Sequence, residues 1–465
     1  MSDKPNGQVG APQHAADASE GIANVVAPKA DPRDYAAQLP SGNDAGLGAD
    51  EPVMLHLADF AGRALDALDN VKRRGFDGPI ATASTPQLQG KPAKKSKLRL
   101  VNRPPRPKRD RHARRKVAFL RYGYYDIAFK FCVEHVLDAD FVQLPEPTRR
   151  TVELGSANSN DFVCAPFKHI LGDYIEALEL GADVLVQFTG PCRLGYYGEM
   201  QEAILRDMGY EFDMLNFATC AGKPVKEYVA ECKRKVNPDM SISAGISGML
   251  TVFKMVECLD AYNDYYLANA GFEVRKGDFA RARTEFFETM RAAATRQDVD
   301  AAFARGIADM KAIEIDKPAS PVRVGLVGEY FTAVDAPSNL HIEDKLLAMR
   351  VELARLMNLT NRNLRYNEPN LRASIPEYAA FDDGPTSSLT ISAAKKYAQE
   401  GFDGIVHMKS SGCTPEIDCM PALQRIGREY GIPMLYLSFD SQTSDTGLDT
   451  RLEAFYDMIA MRKAR

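Results

Sequence analysis

Hydrophobic and polar positions alternate along this chain between a period of two and a period near 3.6, the signatures of strand and helix. Val117-Ala-Phe-Leu reads as a strand and Tyr125–Leu137 as a helix. Asp140-Phe-Val-Gln-Leu-Pro is the next strand. Phe167, Ile170, Leu171, Tyr174, Ile175 and Leu178 then line one face of a helix from Pro166 to Leu180, with Pro166 suited to its first turn. Ala182–Phe188 is a strand, Tyr197–Met208 a helix and Phe212–Phe217 a strand. From Lys223 to about Glu314 the pattern is helical, punctuated by Gly245, Gly248 and the run Gly271–Gly277. A second alternating unit opens with the strand Val322-Arg-Val-Gly-Leu-Val-Gly. It continues through helices Ile342–Leu359 and Ser388–Glu400, strand Phe402–Met408, helix Pro415–Tyr430, strand Pro433–Ser438 and helix Leu448–Arg462. Strands alternating with helices predict parallel sheets covered on both faces. The expectation is an α/β chain with one sheet domain at 117–222, a helical insert at 223–318 and a second sheet domain at 319–465.

The first 116 residues have a different character. Residues 1–50 are rich in Ala, Pro, Gly and Asp and poor in large apolar side chains, which predicts a disordered tail. Residues 51–75 predict a lone amphipathic helix, with Met54, Leu55, Leu57, Ala61, Leu65 and Leu68 on its apolar face. Residues 76–116 read as a basic, Pro-rich linker. Thirteen Lys/Arg stand against one Asp between Lys91 and Lys116, in a chain whose formal net charge is −5. The positive charge is therefore local, on an acidic body. No aromatic residue interrupts it for base stacking, so nucleic acid is not the expected partner.

Eight cysteines occur, and a basic, then apolar, leader is not evident at the N-terminus. No apolar run approaches the roughly 20 residues of a membrane span; Ile242–Phe253 comes nearest. The expected setting is the cytoplasm, without membrane attachment. There, thiols are more often buried, metal-bound or catalytic than paired in disulfides.

Three cysteines stand at equivalent places. Cys192 follows the strand Ala182–Phe188 and precedes a helix. Cys413 follows Phe402–Met408 and precedes a helix opened by Thr414 and Pro415. Cys164 comes two residues before Pro166. Ligands of open α/β sheets gather at the carboxyl ends of strands, and helix N-termini favour thiolate sulfur. Facing each other, the three suit an iron–sulfur cluster in the cleft between the domains. Zinc is the rival, although no Cys-x-x-Cys pair or His cluster supports it. Spacing alone also permits inert, buried thiols.

The order of motifs resembles the 2-hydroxyacyl-CoA dehydratase / benzoyl-CoA reductase superfamily, and within it the acyl-CoA dehydratase activase-related proteins. The resemblance runs from about Val117 to Arg462. It is carried by Cys164-Ala-Pro-Phe-Lys-x-x-Leu-Gly-Asp173, Gly190-Pro-Cys-Arg-x-Gly195, Val327-Gly-Glu329, Gly412-Cys-x-Pro-Glu416 and Asp440-x-Gln-Thr-Ser-x-x-Gly447. It implies two Rossmann-like domains joined by the helical insert, with a [4Fe–4S] cluster held by Cys164, Cys192 and Cys413 between them. A double-cubane [8Fe–9S] cluster, with Cys220 or Cys419 as additional ligands, is the variant some members use. It further implies an oxygen-sensitive protein and an ATP-hydrolysing activase as electron donor. The chain would be a reductase or dehydratase component, with an acyl-CoA or other small molecule as substrate and a homodimer as one candidate assembly.

Other residues acquire candidate roles. Glu329 ends a strand and faces the same crevice as an acid/base group, an iron ligand or a helix cap. Lys168 is the second catalytic candidate. Gly190, Arg193 and Gln442 are candidates for the cluster's surroundings, and Asp445 shares the last polar loop. Glu416 reads as a dipole-stabilising residue of its helix. Cys132, Cys232 and Cys258 read as core thiols, and His169 and His407 as structural. No phosphate-binding loop is evident, so ATP hydrolysis is not expected of this chain. Two rivals remain open: a non-catalytic assembly or maturation partner of the same fold, and a metal-free small-molecule-binding module.

Overall fold

Two sheets, each wholly parallel and four-stranded, carry the described part of the chain. The computed structural model describes residues 114–188, 197–217, 225–361, 368–379, 386–440, 443 and 445–464. The N-terminal tail, the helix expected at 51–75 and the linker up to residue 113 lie outside them. So do the site candidates Gly190, Cys192, Arg193, Cys220 and Gln442.

In chain order the first unit comprises β1 (Lys116–Phe119), α1 (Asp126–Phe131), β2 (Asp140–Phe141), α2 (Arg149–Ala157), α3 (Ala165–Glu179), β3 (Val184–Gln187), α4 (Tyr197–Asp207) and β4 (Asp213–Asn216). Helices α5 (Val225–Lys235), α6 (Ile242–Asn269), α7 (Asp278–Ala292) and α8 (Arg296–Lys311) follow. The second unit comprises β5 (Val322–Gly328), α9 (Tyr330–Val334), α10 (Ile342–Ala348), β6 (Val351–Arg355), α11 (Glu368–Ala373), α12 (Ser387–Gln399), β7 (Gly404–Ser410), α13 (Thr414–Asp418), α14 (Met420–Glu429), β8 (Met434–Phe439) and α15 (Asp445–Lys463). The sheet orders are β2-β1-β3-β4 and β6-β5-β7-β8. These are two Rossmann-like domains of one topology. In each, the strand order reverses between the first and third strands, where α/β sheets open a ligand crevice.

Several elements differ from the sequence pattern. The helix expected over Ile342–Leu359 ends at Ala348; Arg350 turns the chain at φ +60°, and Val351–Arg355 is strand β6. Apolar spacing fits both, but Val351, Leu353 and Arg355 point inward at period two while Glu352 and Ala354 do not. The strand expected at Asp140–Pro145 is short, since Pro145 and Pro147 cannot continue a ladder. The helix expected over Pro415–Tyr430 is two helices broken at Cys419. Helix α2 carries too weak an apolar stripe to announce itself. Thr148 and Thr151 cap it reciprocally. It lies so close to α3 that a Cβ on Gly172 would stand 2.0 Å from the Thr151 carbonyl oxygen.

Helix α6 runs on through a 3₁₀ turn to Phe272, a stretch long and apolar enough, by length and composition alone, to cross a membrane. Its Val252, Met255, Leu259, Tyr262, Tyr266 and Leu267 are buried in the main core, so it packs as a core helix. It also carries the buried Asp260. That carboxylate accepts from Tyr125 Oη at 2.5 Å, Tyr124 Oη at 2.8 Å and the Thr360 backbone N–H at 2.9 Å. One carboxylate thus ties α6 to both sheet units. Burial pushes it up, and the three donors oppose that shift.

Candidate functional site

The reversal of strand order in the second sheet lies between β5 and β7, and both strands end in chemistry. Glu329 follows β5 directly, and its backbone N–H donates to the Met408 carbonyl on β7 at 2.9 Å. Cys413 follows β7 after a tight turn in which its N–H donates to the Ser410 carbonyl at 3.1 Å. Pro415 then starts α13 with Cys413 at the N-cap position. The crevice between the two strand ends therefore has a carboxylate on one side and a thiol on the other.

The first unit brings Cys164 to the same place. Cys164 is the N-cap residue of α3, extended at φ −66°, ψ 158° as an N-cap usually is, and Pro166 occupies the first turn of the helix. The backbone N–H of the next residue, Ala165, donates to Ser410 Oγ at 2.9 Å. Gly412 packs on the other side, and a Cβ there would lie 3.5 Å from Cys164 Cα. The two cysteines, each at a helix start, are thus juxtaposed across the domain boundary. Both are buried, at 7% and 9% exposure. The Cys164 sulfur touches the hydroxyl of Tyr197, the first residue of α4. Sequence reasoning passed over Tyr197; its signal was its place in the Gly-Tyr-Tyr run after Cys192.

Electrostatics join the same groups. Burial, then the charges of Glu329 and Glu416, push the Cys413 thiol far up, with Cys164 adding to the shift. A lone proton therefore stays on this sulfur, whereas iron would replace it by supplying positive charge. Two buried soft donors beside a crevice suit an iron–sulfur group better than a hard cation.

Glu329 is above all a helix cap. Its carboxylate accepts from the Phe331 N–H at 2.8 Å, the Thr332 N–H at 2.9 Å and Thr332 Oγ at 2.7 Å. Burial pushes its carboxyl up, against those bonds. Lys168 is half-buried, and its ammonium donates to the Asp161 carbonyl at 3.3 Å, in the loop before Cys164. Asp445 begins α15 and pairs with Lys345 at 3.2 Å. Cys132, Cys232 and Cys258 are buried away from the strand ends, and burial pushes each thiol up.

Glu416 is more than a first-turn charge. It is fully buried and accepts from His407 Nε2 at 2.8 Å, Thr386 Oγ at 2.5 Å and Thr390 Oγ at 3.1 Å. The Cys419 thiol lies 3.6 Å from the same carboxylate and 3.4 Å from the Glu416 carbonyl. The donor atoms of His407, Glu416 and Cys419 fall within 4.8 Å of one another, a spacing that also suits a metal ion. The sequence signal was a histidine inside the apolar run Ile405-Val-His-Met, which must find a buried partner.

Residues 389–459 match the model of the family HGD-D, the 2-hydroxyglutaryl-CoA dehydratase D-component. The match supports a relation of the second sheet domain to the 2-hydroxyacyl-CoA dehydratase superfamily. The matched stretch runs from α12 into α15 and so contains β7, Cys413, Glu416 and Cys419. Cys164 and Glu329 precede it. No curated protein matches the chain. Within the matched stretch, the cysteine that the fold sets at the strand-order reversal is Cys413.

Proposed function

We propose that the chain holds an iron–sulfur cluster between its two sheet domains and passes low-potential electrons from an ATP-hydrolysing activase to a bound substrate or partner. The observation that carries this reading is the meeting of Cys164 and Cys413. Two buried thiols, far apart in sequence and each at a helix start, stand beside a crevice that the superfamily topology opens. Cys192, outside the described residues, is the third ligand in this reading. The cluster is a [4Fe–4S] cube, with the [8Fe–9S] double cubane as the larger variant, and it supplies single-electron transfer.

The protein's own task is holding and positioning. Helix starts position Cys164 and Cys413, and bound iron would supply the positive charge that their thiolates need. The Ala165–Ser410 bond keeps the two halves in register, and the apolar surroundings exclude water. Glu329 is the candidate proton carrier at the crevice, and Lys168, Gly190, Arg193 and Gln442 complete its surroundings. An acyl-CoA is the substrate class the superfamily suggests, and activase-related proteins are the sub-branch we assign. A cytoplasmic, oxygen-sensitive protein is the corresponding setting.

The test is anaerobic purification and reconstitution with iron and sulfide, followed by iron counting. About four iron per chain accompany one cube. A colourless, iron-free protein after reconstitution overturns the reading, as does full iron retention in Cys413→Ala.

A further inference from the structure

The Glu416 carboxylate is fully buried, and the adjacent Cys419 belongs to an apolar core cluster with Val327, Ile391 and Leu423. Among the described residues, the ion-pair partner of Glu416 is His407, which is charged only when both ring nitrogens hold protons. A buried carboxylate is costly unless a positive charge balances it. That charge comes either from the ring or from a bound cation.

Three donors of different kinds converge here: a His407 ring nitrogen, a Glu416 carboxylate oxygen and the Cys419 sulfur, all within 4.8 Å of one another. None of the three residues is exposed. With bonds of about 2.0–2.3 Å, the ligands of a tetrahedral zinc ion stand roughly 3.3–3.6 Å apart. The Cys419 sulfur lies 3.6 Å from Glu416 Oε2 and already meets that spacing. His407 Nε2 is 2.8 Å from the same oxygen, so a metal would open this pair by about half an ångström. The backbone holds the donors in place. His407 is in register with Val327 on one side and Tyr436 on the other, inside the sheet. Glu416 and Cys419 are one helical turn apart on α13 and face the same way. The second carboxylate oxygen accepts from Thr386 and Thr390, the kind of outer hydrogen bonding that orients metal-ligating carboxylates.

We infer that His407, Glu416 and Cys419 bind one divalent transition-metal ion of the zinc type, at a site separate from the cysteines of the cluster reading. The mixed nitrogen, oxygen and sulfur set suits such an ion better than magnesium or calcium, which take oxygen ligands. Charge balances: the carboxylate and a Cys419 thiolate carry two negative charges between them, and the dication cancels both. Binding displaces the thiol proton to solvent and leaves the ring neutral, and no electron moves. Nδ1 of His407 has no hydrogen-bond partner, a cost that the imidazolium and the metal-bound ring bear alike. A fourth, non-protein ligand completes the tetrahedron. The ion fastens α13 to β7 and so fixes the turn that carries Cys413.

The test uses the full-length chain with Cys164, Cys192 and Cys413 replaced by alanine, so that the thiols of the cluster reading cannot take the metal. The protein is stripped with a chelator under reducing conditions and titrated with Co²⁺, then with Zn²⁺ in competition. The expected result is about one cobalt per chain, with tetrahedral visible bands and a sulfur-to-cobalt charge-transfer band that Zn²⁺ abolishes. Adding Cys419→Ser should remove the charge-transfer band, and adding His407→Gln should weaken binding at least about tenfold. Cys258→Ala should change neither. Circular dichroism confirms folding, and where one ligand variant does not fold the other decides, with Glu416→Gln as the third. If the triple replacement itself does not fold, the titration is run on the wild-type chain, where Cys419→Ser must still abolish one metal equivalent. Cobalt binding that survives the ligand substitutions in folded protein overturns the inference. So does a folded parent chain that takes up no cobalt. Neither result touches the cluster reading, which stands or falls on iron at Cys164 and Cys413.

Discussion

His407 Nε2 lies 2.8 Å from Glu416 Oε2, and neither side chain is exposed. The pair fastens the turn that carries Cys413 to the middle of a sheet. Thr386 and Thr390 reach the other carboxylate oxygen from α12. Three elements, α12, β7 and α13, therefore converge on one acceptor just behind the candidate ligand. Such a network can fix a thiol's position without contacting what the thiol binds.

Glu416→Ala should accordingly be severe. It strands two buried donors, His407 and Thr390, and the half-buried Thr386, and breaking a buried pair of this kind costs about 3–5 kcal/mol. Glu416→Gln keeps an oxygen for the two threonines and should cost less. Chemical denaturation of the two variants measures the difference. An alanine variant within about 0.5 kcal/mol of wild type would show that the network holds nothing.

Much of this architecture was legible in the sequence, and the exceptions have physical reasons. The strands β3, β4, β5 and β8 are short apolar runs bounded by turns, and their length between turn signals reveals them. Ile342–Leu359 misled because Ile342, Leu346 and Leu347 satisfy a helix while Val351 and Leu353 satisfy a strand; only the positive φ at Arg350 divides them. That Cys413 follows a strand and that Cys164 and Cys413 each stand at a helix start was readable in the pattern; the approach of Gly412 to Cys164 was not, because contacts between two sheets are not written in either one's periodicity. Glu416 was not, because its role depends on Thr386 and Thr390, whose distance in sequence says nothing of distance in space. Tyr197 was missed for the same reason.

A pH dependence follows from Asp173. Burial, then the charge of Asp335, pushes its carboxyl well above the ordinary aspartate range. Asp335 is raised too, mainly by burial. A group that binds its proton more tightly when folded contributes stability below its unfolded pKa and loses it as pH rises through the folded value. Stability from this pair should therefore fall on going from acid toward neutral pH. Asp173→Asn keeps an oxygen for the Arg121 N–H, now 3.3 Å away, and removes one titration. Its unfolding free energy should decline less steeply with pH than wild type, by about 1.4 kcal/mol per unit of pKa shift removed. Equal slopes in a denaturation series over pH would refute this.

Cysteine replacements should separate ligands from core. Cys258 is 2% exposed inside α6, and Cys258→Ala removes only packing, about 1 kcal/mol. Cys164→Ala should leave the fold intact but remove most reconstituted iron. Iron and sulfide assays on the two variants, normalised to folded protein by circular dichroism, read the contrast. Equal iron in both would take Cys164 out of the ligand set.

Two glycines near Cys164 should behave oppositely, and the comparison isolates what the site requires of the backbone. Gly172 sits where α3 crosses α2, and a Cβ would meet the Thr151 carbonyl oxygen at 2.0 Å and its carbon at 2.8 Å. Both obstacles are backbone, so a helix must move. The displaced helix is the one whose N-cap is Cys164. Gly172→Ala should destabilise by about 3 kcal/mol, at the upper end of overpacking costs. It should also weaken iron retention through the shifted cysteine. Gly412 touches Cys164 itself, yet its nearest neighbour to a Cβ is 3.5 Å away, an ordinary contact. Gly412→Ala should change stability by no more than about 0.5 kcal/mol and keep its iron. If Gly412→Ala lost iron while stable, the glycine would be needed for room that a bound group occupies, and the cluster would lie against Gly412 itself.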